Sequence, residues 1–126
     1  MYKRTFKISF RDAGGGLWYC LSTQHNMQAH VAMAAVVLVV SWLLKLTRPE
    51  WGLVLFAISF VVVAEMINTA IEKTVDLFVN TYHPLARLAK HIAAGAVLVA
   101  ALNAVAVGVL VFLPHLQTIW RLVVGG

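Results

Sequence analysis

Glu65, Asn68, Thr69, Glu72 and Asp76 stand in an otherwise apolar stretch, Ala64-Glu65-Met66-Ile67-Asn68-Thr69-Ala70-Ile71-Glu72-Lys73-Thr74-Val75-Asp76. At about 100° per residue these positions fall within an arc of roughly 100° on a helix. One face thus carries carboxylates, an amide and a hydroxyl, while Met66, Ile67, Ile71 and Val75 cover the rest. An ionisable group inside a membrane span costs about 3 kcal/mol or more unless it faces protein or water, and by default it marks function. Glu72 or Asp76 taken singly can also be read as a solvated residue at a helix end; the whole stripe cannot. Glu65 lies deepest, behind the almost unbroken apolar run from Ile58 to Ala64, which suits a general base. Glu72 and Asp76, nearer the surface, suit a hard cation such as Mg²⁺.

Lys90 enters the next apolar run at the same depth. It can pair with a carboxylate or meet a phosphate as a point charge. Ala93-Ala94-Gly95-Ala96 follows it, small residues that let helix backbones approach closely. A base, an acid pair fit for a cation, a lysine and a lipid-facing opening together point to phosphoryl transfer to an alcohol dissolved in the membrane.

The elements that must hold these groups are membrane spans. The chain has 126 residues, 61% hydrophobic and 12% charged, with a mean hydropathy of +0.84. Soluble domains are about half apolar and about a quarter charged. Three apolar stretches, 29–46, 51–79 and 85–113, each reach the roughly 20 residues that a bilayer requires. Thr47-Arg48-Pro49-Glu50 is one polar break, with Pro49 suited to the first turn of the next helix. Asn80-Thr81-Tyr82-His83-Pro84 is the other, and Trp120 in the tail beyond Pro114 suits an interfacial anchor. Before the first span, residues 2–25 mix Tyr2, Phe6, Ile8, Phe10, Leu17, Trp18 and Leu21 with Lys3, Arg4, Lys7 and Arg11. That pattern predicts an amphipathic helix in the headgroup plane, weakened or bent at Gly14-Gly15-Gly16. The fold class is an all-α membrane protein, a single domain over 1–126.

Charge sets the orientation. Lys3, Arg4, Lys7, Arg11, Lys73, Arg87 and Lys90 fall on one side, against Lys45, Arg48 and Arg121 on the other. The richer side belongs in the cytoplasm, which puts the N-terminus inside and the C-terminus outside. The net charge of +5 therefore speaks for anionic headgroups and not for nucleic acid. The basic N-terminus lacks the apolar core and cleavage site of a signal peptide. Cys20, the only cysteine, allows no intramolecular disulfide and reads as a small apolar filler. Three thin helices bury little surface, so the walls of a site would come from neighbouring subunits and a homo-oligomer is expected.

Glu65-Met66-Ile67-Asn68-Thr69-Ala70-Ile71-Glu72, Val75-Asp76, Tyr82-His83 and Ala89-Lys90 before Ala93-Ala94-Gly95-Ala96-Val97-Leu98 resemble the prokaryotic integral-membrane diacylglycerol kinase family. Gly16-Leu17, Asn26-Met27 with His30, and Phe112-Leu113-Pro114 resemble its undecaprenol kinase branch. The resemblance spans about residues 5–114 and implies a homotrimer with active sites shared between subunits. It implies transfer of the γ-phosphate of Mg-ATP to undecaprenol or diacylglycerol at the cytoplasmic leaflet of the bacterial inner membrane. Carried over by residue, Glu65 is the general base, supported by Asn68, and Glu72 is a metal ligand. Asp76 and Lys90 belong to the nucleotide site.

Two positions depart from the family pattern. Gln24 stands where the family has a metal-binding glutamate, and His91 where it has an aspartate after the lysine; His25 also replaces a common arginine of the branch. Gln24 still offers Mg²⁺ an oxygen, without charge neutralisation, so weaker metal binding is expected, and His91 leaves the nucleotide site less acidic. The alternative is a paralogue altered in chemistry or inactive, serving as a lipid-binding subunit or processing phosphate differently. His30, His83 and His115 read as interfacial or structural residues.

Overall fold

The computed structural model describes residues 5–79 and 81–125, so Tyr2, Lys3, Arg4, Asn80 and Gly126 lie outside the described residues. The described chain forms helices α1 (Phe6–Thr23), α2 (His25–Leu43), α3 (Arg48–Phe78) and α4 (Pro84–Val124). The last three are long and apolar enough to cross a membrane. The chain is a multi-pass membrane protein, as its composition foretold.

α1 runs unbroken through Gly14, Gly15 and Gly16. It ends one residue before α2 begins, with Gln24 extended between them. The corner is satisfied locally. Gln28 reaches back from α2 to the carbonyls of Leu21 at 3.2 Å and Ser22 at 3.3 Å, groups that α1 leaves without helical donors. Cys20 is buried at this corner as a free thiol, and Lys73 of α3 sits over the Tyr19 ring at 5.9 Å from its centroid. A cation over an aromatic face thereby links α1 to the polar end of α3.

The α2–α3 turn shows why so short a break suffices. Leu46 N–H donates to Ser41 C=O and Lys45 N–H to Trp42 C=O, both at 3.2 Å. This six-to-one and five-to-two pair closes the α2 terminus. It requires Lys45 to take φ 54°, the left-handed region that glycine usually fills. The next residue, Leu46, is buried with Val54 and Val111, backed by Val37, Trp51 and Phe112. Thr47 then opens α3 with a capping box: its backbone N–H and its hydroxyl both donate to Glu50 Oε2, at 2.7 and 2.8 Å. Glu50 Oε1 also lies 3.1 Å from His115 Nε2, which ties the start of α3 to the far end of α4.

α3 packs chiefly on α4. The buried positions between the helices are small or β-branched: Val54, Ala57 and Val61 on α3, Ala93, Ala100 and Val111 on α4. Lipid tails are as apolar as these side chains, so close packing rather than transfer from water holds the pair. Outward, Phe56, Phe60, Leu102, Val105 and Leu110 are exposed, as suits a surface whose solvent is hydrocarbon.

The helix that carries the third apolar stretch runs beyond 85–113. α4 continues through Pro114 to Val124. Proline removes one backbone donor, but membrane helices tolerate it, and the helix-compatible run after Pro114 resumes the ladder. Thr118 reinforces that turn by donating to Pro114 C=O at 3.0 Å.

Candidate active site

The polar stripe of α3 faces inward. Glu65, Asn68 and Thr69 are 2%, 6% and 4% exposed within a single chain, and Glu72 is half-buried. Helix periodicity aligned these positions, and packing turned that face to the protein interior. Taking Trp51 at one edge of the hydrocarbon, the rise of about 1.5 Å per residue puts Glu65 about 21 Å along α3, Glu72 about 32 Å and Asp76 about 38 Å. A hydrocarbon core of about 30 Å then leaves Glu65 submerged, Glu72 at the far boundary and Asp76 among the headgroups. Asp76 is exposed accordingly.

Partners sort the stripe further. Asn68 Nδ2 donates to Glu72 Oε1 at 3.2 Å, while Asn68 Oδ1 is buried with no hydrogen-bond partner among the described residues. Thr69 donates to Glu65 C=O at 2.9 Å, so its hydroxyl serves its own helix. Glu65 meets α2: Asn26 hydrogen-bonds its carboxylate and His30 acts on it electrostatically. Its Oε2 nevertheless has no hydrogen-bond partner among the described residues. A buried polar atom left in that state costs about 1–3 kcal/mol, so Oε2 is poised for a donor.

At the end of α3, Lys90 Nζ of α4 lies 2.5 Å from Asp76 Oδ1. A shallow groove beside this ion pair is lined by Asp76, Tyr82, His83, Arg87 and Lys90. Two cations and a phenol around one carboxylate make a place where an anion with an aromatic base could sit.

Gln24 and His91 stand differently. Gln24 is half-buried and its Nε2 donates to Thr23 Oγ1 at 2.7 Å. His91 is exposed on α4 and does not line the groove. Among the described residues no three His, Cys, Asp or Glu side chains gather as a metal cluster. His115 is structural, as read, through Glu50. The sequence reading did not place Asn26 and His30 beside Glu65. Their spacing of four residues, one helical turn, was the signal that could have placed them together on the α2 face.

A family model described as "Prokaryotic diacylglycerol kinase" matches residues 11–112. The chain belongs to this family. It is 45% identical over 113 residues to the undecaprenol kinase of Bacillus subtilis, which covers 90% of this chain and 91% of that protein. It is 40% identical over 113 residues to the diacylglycerol kinase of Synechocystis sp., covering 89% of this chain and 65% of that one. A diacylglycerol kinase of Helicobacter pylori is 35% identical over 98 residues, 78% of this chain and 76% of that protein. As a member of the family the chain is a lipid kinase, for which ATP is the implied co-substrate. The reading as an inactive or repurposed paralogue is not favoured.

Proposed function

We propose that this kinase transfers the γ-phosphate of ATP to the hydroxyl of a polyprenyl alcohol of the undecaprenol type, in the cytoplasmic leaflet of a bacterial inner membrane. The observation that carries the chemistry is Glu65: a carboxylate buried in an apolar helix, with Oε2 lacking a hydrogen-bond partner among the described residues. A submerged base reaches an alcohol that never leaves the membrane. The choice of alcohol rests on the relative named undecaprenol kinase, which the chain matches over nine-tenths of both lengths.

The roles follow depth. Glu65 takes the proton of the hydroxyl, and Asn68 holds Glu72 in place through its amide. Asp76 and Lys90 take part in holding the nucleotide at the headgroup level, with His91 at the edge of that site. Mg²⁺ fits the donors present. Glu72 and Asn68 Oδ1, which has no hydrogen-bond partner among the described residues, are hard oxygen ligands on adjoining side chains, and Gln24 can add a third by turning from Thr23. Mg²⁺ commonly takes one or two carboxylates and completes its shell with phosphate and water, so the small donor set is sufficient. When bound, the ion would neutralise phosphate charge.

A homotrimer with shared sites supplies the walls that one thin bundle lacks. The orientation rests on the Lys/Arg asymmetry: N-terminus inside, C-terminus outside. The test is transfer from labelled ATP, in detergent, to undecaprenol, diacylglycerol and ceramide. Labelled undecaprenyl phosphate as the main product is expected; labelling confined to diacylglycerol or ceramide would refute the choice of acceptor.

A further inference from the structure

Beyond the stripe, the three spans enclose a cavity of about 110 Å³. Its walls are apolar except at one place. Val61 and Val62 of α3 lie on it just before Glu65, Ala104 and Gly108 of α4 face it, and His30 of α2 is its polar wall. His30 also acts electrostatically on Glu65, as Glu72 does, so the polar wall of the cavity lies near the carboxylate. From that level the cavity runs toward Val54 and Phe112, away from the headgroup end that holds Asp76 and Lys90. A lipid alcohol with its hydroxyl at Glu65 must send its hydrocarbon in that direction. The volume suits a short stretch of chain, not a whole lipid.

We infer that this cavity seats the hydrocarbon next to the acceptor's hydroxyl, and that His30 holds that hydroxyl against the free oxygen of Glu65. The inference rests on the lipid kinase reading and adds a specificity-determining residue and a shape filter to it. Because the surroundings are already hydrocarbon, seating the chain gains little from the transfer of apolar surface. Its contribution is orientation: a chain held in register brings the hydroxyl to one place, whereas a displaced hydroxyl reacts about a hundredfold more slowly for about 1 Å of error. The cavity ends discriminate by shape, and filling them should act on the acceptor alone.

The experiment uses the full chain in detergent, with undecaprenol and farnesol as acceptors at varied mole fraction in the micelle. Ala104→Phe fills the cavity. Gly108→Ala is the milder variant, because a Cβ there meets only Phe112 Cδ2 at 4.0 Å and the fold should tolerate it. We expect the KM for either alcohol to rise about tenfold or more in Ala104→Phe and about threefold in Gly108→Ala, the scale set by steric changes in apolar pockets. The KM for ATP should stay within about twofold. His30→Leu should lower kcat for lipid transfer by about tenfold to a hundredfold, and His30→Asn should recover part of it by restoring a hydrogen-bonding group. Unchanged acceptor KM in a folded Ala104→Phe protein, or in Gly108→Ala if the larger variant misfolds, overturns the seat. Equal loss in His30→Leu and His30→Asn, with thermal stability lowered alike, makes His30 structural and overturns its role. If the wild type phosphorylates no alcohol, the kinase reading itself fails and this inference with it.

Discussion

Replacing Glu65 by Gln removes a proton acceptor and little else. The side chain keeps its length and shape, and an amide can still bond Asn26, which hydrogen-bonds the carboxylate in the native chain. Glu65 is 2% exposed and about 9 Å inside the hydrocarbon boundary on the helical rise used above, so a neutral group is cheaper to hold there. Stability should therefore hold or rise. Catalysis should not. General-base contributions are typically about 10²- to 10⁴-fold, equivalent to about 2.7–5.4 kcal/mol of barrier at 1.36 kcal/mol per decade. The amide cannot accept the hydroxyl proton, so the loss should appear in kcat. KM for ATP should be unaffected, because Asp76 lies about 17 Å along α3 from residue 65 and Lys90 of α4 is paired with Asp76. The assay is initial-rate transfer from labelled ATP to undecaprenol in micelles, beside thermal unfolding and gel filtration of the same preparation. Near-wild-type transfer by Glu65→Gln would place the base elsewhere. Loss of the folded oligomer with loss of activity would make Glu65 a structural hydrogen-bonding residue and refute the catalytic argument.

Further consequences can be checked separately. Gln24→Glu should lower the Mg²⁺ concentration for half-maximal transfer, since a carboxylate adds charge to the oxygen that Gln24 offers; an unchanged requirement would remove residue 24 from the metal. Lys45→Gly should raise the melting temperature in detergent, relieving up to about 1 kcal/mol of left-handed strain at φ 54°, and a lower value would contradict the α2–α3 turn as described. Thr47→Val should lower it by about 1 kcal/mol through the lost cap, with Glu50→Gln restoring nothing. A periplasmic reporter fused after Gly126 should be active, and cytoplasmic activity of the fusion would invert the orientation.

Much of the protein is local and so was legible in order. Hydropathy and the roughly 20-residue requirement marked three spans, because each helix satisfies its own backbone and depends on no neighbour for its length. The stripe from Glu65 to Asp76 was equally readable, since the 3.6-residue repeat aligns it before any packing occurs. Proline was a weaker guide: Pro49 opens α3 as expected, yet Pro114 does not end α4, because the cost of one missing donor is met by the turns around it.

What crosses between helices was decided only by the tertiary structure. Nothing in the order of residues says that Asn26 and His30 lie near Glu65, which of the carboxylates Lys90 takes as its partner, or that His115 reaches Glu50 across 65 positions. Gln24 is a case of the same kind: only the tertiary structure shows its Nε2 bonded to Thr23 at the α1–α2 corner. Periodicity fixes which residues share a face. Which faces meet depends on close packing of small side chains such as Ala57, Ala93 and Ala100, and that is a property of pairs of helices rather than of either alone.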